Sequence, residues 1–348
     1  MRKNIAIIGH FGGSENFLDG QTVKTRILFD ELKNNTDWNI QIVDTYLKRK
    51  NPIKLICDIA VMLLKRKDVI VLLSINGMKT FFPLLSFATN VLHMNVYHDV
   101  IGGNLDKYVE KYPKFRRWLS SFKVNWVETD ILKCSLEAKG VLNCEVIPNF
   151  KRISIVGEDK FPIEYTKPYR FCTFSRVMKE KGIEEAIAAI EEINAESKET
   201  VCTLDIYGVV DSSYSDRFDS ILKKSTEAIC YRGTVPYDQS SNTLQQYFAL
   251  LFPTYWDGEG FPGTIVDAMS AGLPVIASNW NSNKEIIKHG VNGFLYPYDC
   301  VTSLKQGIVA LVADSARVLM MKKNCIHDAI RYRPEEYIRK IADEIERA

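Results

Sequence analysis

The chain is 348 residues long, with 46% hydrophobic, 25% charged and 11% aromatic residues. That composition excludes a disordered, collagenous or disulfide-scaffold protein, and the length exceeds what one hydrophobic core usually holds. Net charge is +2 but unevenly spread: residues 1–150 carry 21 Lys+Arg against 15 Asp+Glu, and residues 151–348 carry 24 against 28.

The opening MRKNIAIIGHFGG has four apolar residues in a row before Gly9, too few for a signal-peptide core, and reads as a first strand. Short β-branched runs at 4–9, 39–44, 68–74, 94–98, 124–128 and 144–147 then alternate with amphipathic segments, the pattern of parallel βα units. MKTFFPLLSFATNVL reads as a packed helix, with a lipid or acceptor contact as its alternative. The apolar run Leu55–Leu64 contains Asp58 and falls well short of the roughly 18 residues a membrane span needs. A polar stretch from Lys151 to Pro168, with Gly157 and Pro162, reads as a linker. A second series follows, with strands at 170–174, 201–207, 229–232, 249–252 and 274–277 and helices at 181–195, 215–227, 238–246 and 264–271. Beyond Pro334 an amphipathic segment with Tyr337, Ile338, Ile341 and Ile345 on one side reads as a closing helix. The expected fold is α/β, with two doubly wound parallel-sheet domains: 1–165 joined by 334–348, and 166–333.

Eight cysteines, Cys57, Cys134, Cys144, Cys172, Cys202, Cys230, Cys300 and Cys325, show no C-x-x-C pattern and read as reduced thiols of a cytoplasmic protein. The basic excess of the first half suggests an anionic partner, a membrane surface or a phosphorylated acceptor. Lys65, Arg66 and Lys67 form one cluster, and Lys111, Lys114, Arg116 and Arg117 another. No nucleic-acid motif accompanies them, so nucleic acid is not expected as a partner.

The most informative stretch is FPTYWDGEGFPGTIVDAMSAGLPVIAS, residues 252–278. It reads as strand, glycine-rich loop, short helix, turn and strand. In the loop, Gly260 and Gly263 allow close backbone approach to a ligand, and a helix starting near Thr264 aims its positive end at the same place. Glu259 would project from the loop, while Asp267 is placed in the first helical turn; Phe261 and Pro262 lie between them. The plain alternative is an acidic turn capping a core helix. Upstream, FSRVMKEKG places Arg176 and Lys181 after the first strand of the second series, at the edge of a parallel sheet where such folds bind ligands.

Here the sequence resembles glycosyltransferase family 4, the group 1 glycosyltransferases of GT-B fold. Their hallmark is a Glu, seven residues, a second Glu and then A-M-x-x-G-x-P-V-I. This chain has Glu259, seven residues, Asp267 and AMSAGLPVI, so its second carboxylate is one methylene shorter. FSRVMKEKG resembles the family's G-R-x-x-x-x-K-G, with Ser175 in place of glycine, and YRGTVP, containing Val235, resembles the loop under the nucleotide base. The resemblance implies that Arg176 and Lys181 hold the donor diphosphate, that Glu259 orients the donor sugar, and that Asp267 binds ribose hydroxyls. It also implies two such domains facing a cleft and retention of anomeric configuration.

In the first half the resemblance is looser. It implies that the loop holding Gly12 and Gly13 faces donor phosphates and acceptor, against a purely structural turn, and that His98 lies beside the transferred sugar, against a structural histidine. No D-x-D motif occurs, so no metal and no other cofactor is expected, and the cations must neutralise the leaving diphosphate. Neutral replacement of Arg176 or Lys181 is expected to leave folding nearly untouched. The expected partners are a nucleotide-sugar donor, a glycan or lipid-linked acceptor and an anionic membrane surface, with bacterial surface-polysaccharide assembly as the setting. The alternatives are a catalytically silent nucleotide-sugar-binding subunit, a GT-B nucleotide-sugar epimerase and a phosphorylase.

Overall fold

The structure is a computed structural model that describes residues 2–15, 17, 19–161, 164–236, 239–298 and 301–348; Cys300 and Pro162 therefore lie outside the described residues. It divides into two compact units, Met1–Arg152 with Arg333–Ala348, and Ile153–Tyr332.

The first unit runs β1 (Asn4–Gly9), α1 (Gly20–Asn35), β2 (Asn39–Asp44), α2 (Leu47–Lys50), α3 (Pro52–Lys65), β3 (Asp68–Leu72), α4 (Ile75–Leu92), β4 (Asn95–Asp99), α5 (Leu105–Lys111), α6 (Pro113–Ser121), β5 (Val124–Val127), α7 (Asp130–Ala138) and β6 (Cys144–Val146). Its six strands are parallel in the order β2-β1-β3-β4-β5-β6. The central strand β3 is buried at every residue, as expected where helices cover both faces of a parallel sheet. The sequence over α4 forms a packed helix with Met78, Phe82 and Leu85 in the core.

The second unit runs β7 (Tyr169–Phe174), α8 (Ile183–Ser197), β8 (Cys202–Tyr207), α9 (Ser215–Leu222), β9 (Ile229–Gly233), α10 (Ser240–Leu244), β10 (Ala249–Phe252), α11 (Gly263–Ser270), β11 (Val275–Ser278), α12 (Asn283–Ile286), β12 (Gly293–Tyr296), α13 (Val301–Ala313) and α14 (Ser315–Ile330). Its order is β12-β11-β10-β7-β8-β9, all parallel. The order in which strands are added reverses between β7 and β10, the topological switch point of a doubly wound sheet.

The last helix, α15 (Pro334–Glu346), packs in the first unit. Trp126 Nε1 donates to Glu344 Oε2 at 2.8 Å, Phe150 stacks on Tyr337 at 5.9 Å, and Ile338, Ile341 and Ile345 are buried. The division falls at residue 152, ahead of the expected 165, because Ile153, Ile155 and Val156 pack on the core of the second unit and the Val156 N–H donates to the Ser270 carbonyl. α9 ends at Leu222 instead of running to 227, since the Thr226 N–H turns away to Glu191 Oε1.

Lys322 of α14 is fully buried in the second unit. Its ammonium donates to the Gly272 carbonyl at 2.9 Å and lies near the rings of Phe161 and Tyr165. Burial pushes it down to about 8. Between that value and its unfolded value of about 10.5 the unfolded chain binds more protons, so stability rises with pH across this window. We expect a gain of about 3 kcal/mol from Lys322 between pH 8 and 10.5. Subtracting the urea-unfolding stability of Lys322→Met from that of the parent at each pH isolates the gain; a flat difference refutes it.

Candidate functional site

The loops that leave β7 and β10 meet at the carboxyl edge of the second sheet. The segment after β7 keeps pairing beyond the strand, with the Ser175 N–H donating to the Tyr207 carbonyl and the Val177 N–H to the Val209 carbonyl. That close approach requires glycine: a Cβ on Gly208, at φ +138°, would lie 1.8 Å from the Ser175 carbonyl oxygen. Gly182, at φ +73°, makes the same demand where it meets the loop after β10, since a Cβ there would lie 2.2 Å from the Pro253 carbonyl oxygen. No capping side chain could replace these backbone contacts.

This packing brings Lys181 to Glu259. Lys181 Nζ lies 2.5 Å from Glu259 Oε2, and both side chains are about nine-tenths buried. Thr254 Oγ1 donates to the same carboxylate oxygen at 2.9 Å. The ammonium also sits 4.7 Å from the Trp256 ring centroid and 5.7 Å from that of Phe252, so a carboxylate and two aromatic faces offset its desolvation. The acidic loop is held by its neighbours: Trp280 Nε1 donates to the Trp256 carbonyl, Asn281 Nδ2 to the Glu259 carbonyl, and Ser282 Oγ to the Gly260 carbonyl.

α11 begins at Gly263, and its N-cap residue Pro262 makes no side-chain cap bond. Thr264 Oγ1 donates instead to the Phe174 carbonyl at 2.9 Å, tying the helix start to the end of β7. Asp267 lies half-buried in the second turn of this helix, not the first, because the helix opens one residue earlier than expected. Phe261 is buried and packs on Tyr332 with ring centroids 5.2 Å apart, so its side chain serves the core. Arg176 is exposed, with Nη1 4.0 Å from Asp211 Oδ2. Val235 is half-buried in the loop after β9, whose Gly233 carbonyl accepts from the Gly208 N–H. Thr254, Trp256 and Phe252 escaped the sequence analysis, although all three flank the acidic loop. An aromatic residue three positions before a loop glutamate is the signal that could have found Trp256.

The first unit places its expected residues differently. Gly12 and Gly13 have φ of +77° and +57°, but the loop is already committed. Asp44, the last residue of β2, accepts from the Phe11, Gly13 and Tyr46 N–H groups at 2.9–3.0 Å, and Arg26 donates to the Phe11 and Glu15 carbonyls. The Gly13 N–H is thus spent on a carboxylate, which favours a structural turn over a phosphate cradle at this residue.

His98 is fully buried. Its Nδ1 pairs with Asn125 Oδ1 at 3.0 Å, and Phe82 and Phe122 close on its ring at 4.9 and 6.2 Å. Its Nε2 has no hydrogen-bond partner among the described residues, and full burial favours a core histidine over the expected sugar contact. Burial pushes its imidazole down to about 4. The neutral form is built in, so its contribution to stability is complete above the unfolded value of about 6.5 and is lost as pH falls towards 4. We expect His98 to account for about 3 kcal/mol of acid destabilisation over that interval. The measurement is the difference in unfolding free energy between parent and His98→Gln at pH 7 and pH 4.5, and an equal loss in both proteins would refute it.

The architecture of two such units is that of the GT-B glycosyltransferases. Residues 158–328 match the family model described as glycosyl transferases group 1. A sucrose-phosphate synthase from Thermosynechococcus elongatus superposes with a TM-score of 0.76 over 99% of both chains at 15% identity. HepE from Anabaena, solved with UDP, gives 0.70 over 99% of this chain and 100% of its own, also at 15% identity. In sequence, the chain is 33% identical over 115 residues to an Escherichia coli UDP-Gal:alpha-D-GlcNAc-diphosphoundecaprenol alpha-1,3-galactosyltransferase, covering 33% of this chain and 28% of that protein. The chain spans less than half the length of the curated relatives it matches.

Proposed function

We propose that this chain transfers a glycosyl group from a nucleoside diphosphate sugar to a hydroxyl of a glycan or lipid-linked acceptor, with retention and without a metal ion. The observation that carries the reading is the buried Lys181–Glu259 pair at the switch point of the second sheet, where doubly wound folds bind ligands. In the reaction the bond from the sugar's C1 to the diphosphate oxygen breaks, and its electron pair leaves with the nucleoside diphosphate. The acceptor oxygen bonds C1, and its proton passes to the departing phosphate oxygen. Lys181 and Arg176 stabilise the charge that builds on that phosphate, aided by the N-terminal end of α11. Glu259 orients sugar hydroxyls and offsets positive charge at C1, Asp267 takes ribose hydroxyls, and the loop of Val235 lies under the base.

The Escherichia coli relative is named for UDP-Gal and a diphosphoundecaprenol-linked acceptor, and HepE was solved with UDP. Those names support uridine diphosphate sugars as the first donors to test and bacterial surface polysaccharide as the setting. Among the described residues no helix is long and apolar enough to cross a membrane.

Arg176 is 54% exposed, so Arg176→Ala should keep the parent's melting temperature while losing about 30- to 1,000-fold in kcat/KM. Isothermal titration with UDP and initial-rate measurements check this; undiminished UDP affinity and rate would remove Arg176 from the donor site. Lys181 differs from the sequence expectation. Lys181→Ala strands a buried carboxylate, so it should also destabilise the second unit by about 3–5 kcal/mol. Glu259→Gln keeps the shape of the pair and should lower kcat far more than donor affinity.

The absence of a D-x-D motif and the presence of two cations support metal independence. Acceptor-dependent UDP release should survive EDTA. A loss that Mn²⁺ restores contradicts that part of the proposal.

A further inference from the structure

α3 is apolar on two sides. Its inner side sends Leu55 and Met62 into the core of the first unit, with Ile59 and Leu63 packed against it. Its outer side carries Ile53, Ile56, Cys57, Ala60, Val61 and Leu64, all exposed. At 100° per residue these six fall within one sector of the helix, following the i, i+3, i+4, i+7 spacing that normally faces a core. Ile53, Ile56 and Leu64 are 74%, 66% and 84% exposed. Single exposed apolar residues are ordinary on a protein surface, but a continuous stripe along one helix marks an interaction surface.

The charges around the stripe identify its partner. Lys54 and Asp58 lie on the flank and pair with each other at 2.7 Å, leaving the stripe itself uncharged. Lys48, Arg49 and Lys50 of α2 precede it and are exposed, and Lys65 and Lys67 follow it, also exposed. A helix of 14 residues is about 21 Å long, too short to cross a bilayer but suited to lie in its plane. We propose that the outer face of α3 enters the interfacial region of an anionic lipid bilayer, its apolar stripe reaching the acyl boundary and the basic residues at both ends meeting lipid phosphates. A protein partner with an acidic rim would meet the same charges. The bilayer is favoured because the stripe carries no charge of its own while exposed basic residues stand at both of its ends. The proposal rests on the lipid-linked acceptor read above only for why such a surface exists.

The test is co-sedimentation of the full chain with phosphatidylcholine vesicles, with and without about one third phosphatidylglycerol, at low and high salt. The parent should bind the anionic vesicles at low salt and release as salt rises. The triple variant Ile53→Ser, Ile56→Ser, Leu64→Ser changes only exposed side chains, so it should keep the parent's melting temperature and lose at least about ten-fold in partitioning. Lys48→Gln, Arg49→Gln, Lys50→Gln should weaken binding to the anionic vesicles alone. The proposal is overturned by a parent that stays in solution with anionic vesicles at low salt, or by a serine variant that binds as the parent does. It is equally overturned if sedimentation velocity without lipid shows self-association that the serine substitutions abolish, since a second copy then covers the face. Binding of UDP, GDP and ADP, followed by thermal shift without vesicles, reads the donor site separately: a parent that binds vesicles but none of the three refutes the enzymatic reading and leaves this one standing.

Discussion

A lysine and a glutamate withdrawn from water hold each other in place, because either charge alone would be costly to bury. Lys181 and Glu259 stand in that relation, and the loops after β7 and β10 are shaped around them. Gly182 lets one loop touch the Pro253 backbone of the other, Thr254 steadies the carboxylate, and the Trp256 face covers the ammonium. The pair is neutral as a whole, so in the proposed reaction Lys181 meets the diphosphate's charge only with help from further positive groups. The proposed reaction draws on the exposed Arg176 and the N-terminal end of α11 in the same unit. In that proposal Lys181 contributes its charge from a fixed position, and the exposed Arg176 adds attraction.

The first unit reverses that arrangement. At the carboxyl edge of its sheet the charges are buried and acidic on balance, with Lys24 Nζ 2.6 Å from Asp99 and 2.9 Å from Glu128. Burial pushes the Asp99 carboxyl up to about 6 despite the adjacent ammonium. Asp44 likewise absorbs the N–H groups of the glycine loop. A glycine-rich loop after a first strand therefore does not by itself make an anion site. The basic excess read from the composition is displayed instead on the surface, in part at the two ends of α3.

Among the described residues, the alternation of apolar runs with amphipathic segments made eleven of the twelve strands legible, most plainly where a strand buried on both faces carries an uninterrupted apolar code, as β3 does. β12 escaped it: Gly293–Tyr296 opens on a glycine, is buried only at its two ends, and follows a loop rich in polar residues. The acidic loop and the lysine after β7 were legible because each is local in sequence. Their contact was not, since 78 residues separate Lys181 from Glu259 and only the fold closes that distance. His98 shows the opposite failure. Its place at the end of β4 was visible, but which face of the sheet it points to was not, and that face is lined by Phe82 and Phe122. The exposure of the outer face of α3 was hidden for the same reason: apolar residues at helical spacing look alike whether a core or a solvent faces them.

The spacing between Glu259 and Asp267 gains its meaning from the turn that separates them. On one continuous helix, eight residues would set both carboxylates on the same face, about 12 Å apart. Here the chain leaves Glu259 buried in the loop, drives Phe261 into the core against Tyr332, and starts α11 only at Gly263. Phe261 thus acts as an anchor that resets the chain direction between the two acids. Thr264, bonded to the end of β7, fixes where the helix begins. One carboxylate is left inside with the lysine and the other half-exposed on the second helical turn. The two acids therefore meet different environments, and the one-methylene shortening relative to the family pattern falls on the half-exposed one. The same shortening at Glu259 would draw the carboxylate away from both Lys181 and Thr254, with no solvent to compensate.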